Sequence, residues 1–270
     1  MRCPEPPRLR PSQHGFTLVE AVIVIVITGI IAAMVAVFIR APIQGYVDSA
    51  RRAEMSDIAD TAARRIARDL RLALPNSVRV FGGASGTSLE FLLTRSGGRY
   101  RADAAAAGDD PLDFGVPDTS FDILGAPLVF KTGDRIAISN LGVPGADAYA
   151  GDTLRSYNGI VGSATTKAQF TPSTPFPMES PARRFQVVET PVTYRCAGGG
   201  LWRHAGYTIT ATQANPPAGT PSLLASKLSD CLFTYEAVNQ RFGLLSVRLT
   251  LAQGGETVSL YHEVHVYNVP

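Results

Sequence analysis

Few residues in this chain are placed to do chemistry, and the first is a lone carboxylate. Between Phe16 and Ile39 the only charged residue is Glu20. A charge at the centre of a membrane helix costs about 2.5–3.5 kcal/mol on insertion scales. The chemistry open to such a residue is pairing with a cation that is also out of water. Just ahead of it, Gly15 and Phe16 mark the border between a polar stretch and an apolar run. A secretory leader carries its apolar region before the cut. Here the small residue comes first, so cleavage after Gly15 would keep the apolar segment.

Other candidates fall away on spacing. His262 and His265 flank Glu263 in a strand-like stretch, where successive side chains point to opposite faces, so the two imidazoles diverge. His204, close to Trp202, reads as a packed strand position. Asp109, Asp110, Asp113 and Asp118 make an acidic loop whose spacing matches no calcium motif, and it reads as a solvated loop. No Cys-x-x-Cys or Cys/His metal spacing occurs, and there is no Gly-x-Ser-x-Gly, Walker loop or His-Glu-x-x-His. The sequence therefore points away from an enzyme and calls for no metal and no cofactor. A net charge of +2 gives no reason to expect a nucleic-acid partner.

The elements that must position these residues begin with a helix. From Phe16 to Ile39 the apolar run would make a helix roughly 36 Å long, enough to cross a hydrocarbon core about 30 Å thick. Arg40, Ala41 and Pro42 follow, and the proline predicts a kink or a break. Helical character resumes from Ser49 to Leu74, with Pro75 and Asn76 as the stop. Met55, Ile58, Ala59, Ala62, Ile66, Leu70 and Ala73 share one face, and Arg64, Arg68 and Arg71 lie opposite, with Asp57 and Asp60 near them.

Beyond Pro75 the pattern changes to short strands. The candidates are 78–81, 88–93, 134–139, 183–190, 193–196, 201–204, 207–212, 232–238, 244–252 and 258–267. Gly254-Gly255 is a hairpin signal between the last two. The stretches 102–118 and 140–181 read as long loops, either binding loops or mobile ones. The 25 glycines and 19 prolines suit a turn-rich β domain. The fold class is α+β: a long N-terminal helix, its second half laid on a mainly antiparallel sheet. The expected organisation is a leader over 1–15, a membrane helix over 16–39, an amphipathic continuation over 40–75 and a β-rich domain over 76–270, with a small second subdomain possible.

The short leader (Arg2, Arg8 and Arg10 against Glu5), the Gly15-Phe16 junction and Glu20 together resemble the type IV prepilin signature. In that family a membrane peptidase cuts after the glycine and methylates the new N-terminal residue, here Phe16. Glu20, then fifth in the mature chain, would pair with the free N-terminal amine of a neighbouring subunit. Residues 44–54 (QGYVDSARRAE) and 65–80 (RIARDLRLALPNSVRV) resemble the MshO family of minor pilin-like subunits of mannose-sensitive haemagglutinin (MSHA) pilus systems. The Arg-Asp-Leu-Arg near the helix end is also similar to J-type minor pseudopilins of type II secretion. The resemblance covers about residues 15–80.

It implies a pilin fold and a single-pass inner-membrane protein with its C-terminal domain in the periplasm. It implies other major and minor pilins or pseudopilins, a prepilin peptidase and an inner-membrane assembly platform as partners. In an oxidising compartment Cys196 and Cys231, the pair left once Cys3 goes with the leader, are expected to form a disulfide. The uncovered helix face, with Arg64, Arg68 and Arg71, would point toward filament partners. The length and the large insertions suit a minor subunit that primes or caps a filament. The alternative is a filament-borne adhesin or substrate-binding module that uses the long loops.

Overall fold

The computed structural model describes residues 15–82, 85–171, 174–237 and 241–270. Of the expected leader only Gly15 falls inside this range; Arg2, Cys3, Glu5, Arg8 and Arg10 lie outside it. The chain divides into two compact units, Met1–Arg51 and Arg52–Pro270.

One helix, α1 (Leu18–Leu70), supplies the helical part of both units. In the first unit its apolar side chains are exposed, among them Val22, Ile23, Ile27, Ile30 and Ile31. It is long and apolar enough to cross a membrane. The break expected at Pro42 does not occur: the helix runs through it. A proline removes one backbone donor, and losing one bond does not end a helix favoured on both sides.

In the second unit Met55, Ala59, Ala62, Ile66 and Leu70 are buried as the periodicity requires, with Ile58 packed partly against them. The helix ends four residues earlier than its pattern implied. Sheet pairing takes over there: Thr94 N–H donates to Leu72 C=O at 2.7 Å, and Leu74 N–H donates to Leu92 C=O at 2.8 Å. Ala73 and Arg71 therefore lie beyond α1.

In chain order the first strands are β1 (Arg79–Val80), β2 (Ser85–Gly86), β3 (Ser88–Tyr100), β4 (Ser120–Leu124) and β5 (Leu128–Val129). Next come β6 (Arg135–Ala137), β7 (Leu154–Ser156), β8 (Ala164–Thr165), β9 (Lys167–Gln169) and β10 (Arg184–Ala197). The last are β11 (Gly200–Ala205), β12 (Thr220–Ala225), β13 (Leu228–Ala237), β14 (Phe242–Gln253) and β15 (Glu256–Tyr267). Among the described residues, one nine-stranded sheet has the spine β12-β11-β10-β3-β4-β9, with β1, β6 and β7 attached. A four-stranded sheet runs β15-β14-β13-β2, and β5 pairs with β8. Every pairing is antiparallel.

Several strand expectations change. The stretches 183–190 and 193–196 form one strand, β10, whose register against β3 shifts around Val188 and Pro191. Residues 207–212 form no strand, and the carbonyls of Thr210 and Ala211 accept hydrogen bonds from the Arg79 guanidinium instead. The stretch 140–181 is no bare loop, because β7, β8 and β9 lie within it.

The unit has more than one core. The first joins the buried helix face to Leu89, Phe91, Val192, Tyr194, Phe233, Val247 and Leu249. The second is rich in aromatic rings: Tyr100, Phe121, Phe130, Phe170, Phe176 and Phe185. Burying a Phe fully contributes about 1.5–3 kcal/mol, so the second cluster is enough to order the long connections around it.

Candidate functional site

The site implied by sequence is the start of α1. Gly15 and Phe16 precede the helix, and Phe16 is 79% exposed. A Cβ added to Gly15 would meet nothing within 4 Å, so packing does not require glycine there. Thr17 caps the helix: its Oγ1 accepts a hydrogen bond of 3.2 Å from the Glu20 backbone N–H. Thr17 and Glu20 stand at the spacing of a capping box, Thr-x-x-Glu, a signal the sequence reading passed over. Glu20 is the acidic residue of the first turn, where the helix dipole favours a negative charge. Its carboxylate is exposed and makes no side-chain bond among the described residues.

Further along, Thr28 Oγ1 donates to the carbonyl of Ile25 at 3.2 Å and also to that of Val24. The hydroxyl is thus satisfied within the helix, as a hydrocarbon surrounding demands.

Residues 10–36 match the family model described as the prokaryotic N-terminal methylation motif. The chain carries a type IV pilin-like signal. The motif spans Gly15, Phe16 and Glu20 and supports the general family of pilins and pseudopilins. It implies processing by a prepilin peptidase and assembly with other pilins. With the apolar helix it supports a membrane-anchored pilin-like chain. No curated protein and no solved structure matches the chain.

The basic ridge divides. Arg64 is tied to Asp60 at 2.8 Å. Arg68 and Arg71 are exposed and form no ion pair among the described residues. The residue between them in sequence behaves otherwise. Asp69 is 5% exposed and gathers Arg65 Nε at 3.1 Å, Arg203 Nε at 2.8 Å and the Tyr194 hydroxyl at 2.8 Å. Burial, reinforced by the Asp69 charge, pushes the Tyr194 phenol well above the ordinary tyrosine range. Locally the sequence offers Asp69 only Arg65 at i,i+4 spacing; the partners that bury it, Tyr194 and Arg203, stand 125 and 134 residues away.

Cys196 and Cys231 form a disulfide with a Cα–Cα distance of 6.3 Å. It ties β10 of the larger sheet to β13 of the smaller one.

The acidic loop is occupied by its own partners. Asp109 accepts from the Ala105 and Ala106 N–H groups at 2.8 and 2.9 Å and pairs with Arg101 at 3.0 Å. Those backbone donors hold its carboxyl below the usual range. Asp110 pairs with Lys167 at 2.9 Å, and Asp118 accepts from the Asp113 N–H at 2.9 Å. This is a hydrogen-bonded loop more than a simply solvated one. Among the described residues no group of three or more metal-ligating side chains forms. His262 and His265 fall on alternate sides of β15, whose pairing with β14 is unbroken. His204 is buried, which together with the Arg195 charge holds its imidazole below the ordinary range.

Proposed function

We propose that the chain is a minor pilin or pseudopilin that primes or caps a filament at the inner membrane, in an MSHA-type pilus or a type II secretion-like system. The observation that carries this reading is Glu20. It stands in the capped first turn of an apolar helix, inside a methylation motif, with no side-chain partner among the described residues. Cleavage after Gly15 would free an amine on Phe16, and Glu20 would pair with the corresponding amine of a neighbouring subunit. Each charge then offsets the other's desolvation. The C-terminal unit would face the periplasm, where the Cys196–Cys231 bridge would persist. This reading assigns the chain a structural role and no catalytic one.

The test is assembly. Glu20→Ala protein should be processed normally yet cofractionate poorly with partner pilins, and wild-type cofractionation would reject the docking role.

A second reading, a filament-borne binding module, draws on the aromatic core. The described residues of the stretches 102–118 and 140–181 pack around Phe121, Phe130, Phe170 and Phe176, which gives those loops a defined surface.

A further inference from the structure

The strand register places two arginines directly opposite each other, Arg99 on β3 and Arg184 on β10. Cα partners in an antiparallel pair project to the same face, and like charges so opposed are destabilising. Nearby arginines of the same unit have carboxylates. Arg95 pairs with Asp134 and Glu189, Arg101 with Asp109 and Asp122, and Arg183 with Asp103. Arg99 and Arg184 have none among the described residues, and both are exposed.

Both line a cleft of about 480 Å³. Gly97 also lines it, where the β10 backbone comes so close that an added Cβ would stand 2.7 Å from the Phe185 carbonyl oxygen. Leu124, the Cα partner of Arg99 on β4, forms a wall with Ala126 and Leu128. Gln186 adds an amide, and Ser96 Oγ lies shielded from solvent with no hydrogen-bond partner.

We propose that this cleft binds an extended acidic–apolar peptide segment of a partner protein through its carboxylates. Two guanidinium forks present planar pairs of donors that fit carboxylate oxygens bidentately. The leucine wall takes the apolar neighbour of the acid. A sugar acid would want an exposed aromatic face, and the one ring lining the cleft, Phe185, is 1% exposed. The repulsion between Arg99 and Arg184 is what a bound carboxylate would relieve. The assignment does not rest on the filament reading.

The test uses the full chain in detergent micelles and fluorescence anisotropy of a dye-labelled peptide, acetyl-Leu-Glu-Leu-Glu-Leu-amide. The expected result is saturable binding, weakened roughly tenfold or more by Arg99→Gln or Arg184→Gln, and by Arg184→Lys, which keeps charge but loses the fork. Arg183→Gln should bind as wild type. Both glutamine variants should keep or raise the thermal midpoint, since each removes a like-charge contact. Equal binding of the peptide with Gln in place of Glu, or full binding by the arginine variants, would overturn the proposal. So would a lowered midpoint in both glutamine variants, which would make the pair structural. Displacement by inorganic phosphate or by oligogalacturonate at the peptide's own concentration would replace the peptide assignment with a phosphate or a sugar-acid site.

Discussion

The phenol of Tyr194 donates a 2.8 Å hydrogen bond to the carboxylate of Asp69, joining the last turn of α1 to the middle of the large sheet. Arg203 on the neighbouring strand reaches the same carboxylate oxygen at 2.8 Å. Three elements thus meet on one buried acid.

Removing that acid leaves a half-buried guanidinium and a buried phenol without their partner. Asp69→Ala should cost about 3–5 kcal/mol of stability, the range for breaking a buried pair from one side. Urea denaturation of the detergent-solubilised chain, followed by the fluorescence of its single tryptophan, Trp202, measures this on the strand that carries Arg203. A change under about 1 kcal/mol would mean that Arg203 finds water or another acceptor.

Alkali should unfold this unit from the same place and from a second buried phenol, Tyr149. Burial raises the phenol pKa of Tyr194, with the Asp69 charge adding to it, and burial raises that of Tyr149, with the Glu90 charge adding. In the unfolded chain both ionise near pH 10. Above that pH the folded form holds protons that the unfolded form releases, so stability falls as pH rises. A denaturation series should show these groups contributing no slope well below pH 10 and a steady loss above it. Tyr194→Phe should flatten part of that loss.

The disulfide closes a span of 35 residues between the two sheets. A loop of that length constrains the unfolded chain by about 4 kcal/mol in the entropic account. The double variant Cys196→Ala, Cys231→Ala should lose about 2–5 kcal/mol, and reduction of the wild type should shift its midpoint similarly. Peptide mapping without reductant should recover the two cysteines linked.

Processing should separate cleanly from folding. Mass spectrometry of mature protein should find a chain beginning at N-methylated Phe16. Because the Gly15 Cβ position is open, Gly15→Val should block cleavage while leaving circular dichroism unchanged. A variant that is cut normally would remove the motif's meaning here.

The two faces near the end of α1 should respond oppositely. Ile66 is fully buried, so Ile66→Asp should unfold the second unit by burying an unpaired charge. Arg68→Glu with Arg71→Glu should leave folding intact and weaken cofractionation with partner pilins. Normal assembly of that double variant would make the ridge a solvated surface.

The helix was legible because its signals are local. The apolar run, the lone Glu20 and the 3.6-residue stripe through Met55, Ala59, Ala62 and Ile66 all sit within a few turns. Its end was misplaced because Leu72 and Leu74 are claimed by β3, a tertiary event. The aromatic core was invisible for a different reason. Phe121, Phe130, Phe170, Phe176 and Phe185 are scattered singly, and the strands between them, such as β5 and β8, are too short to show a period. Asp69 was not singled out, because Tyr194 and Arg203 reach it only through the fold. The Arg99–Arg184 opposition depends on register, which neither strand encodes alone.

The aromatic core also has an address in the chain. The segment that builds most of it departs from the end of β3 at Tyr100 and enters β10 after Arg183, where Tyr100 N–H donates to the Arg183 carbonyl at 3.0 Å. Departure and return are neighbours, and between them β6 comes back to pair with β10, so the segment is held at its two ends and again in its middle. Any exchange of the segment would therefore have to carry Asp134 for Arg95 and the Tyr149 hydroxyl for the Ser77 carbonyl, or the seam beside the end of α1 would open with it.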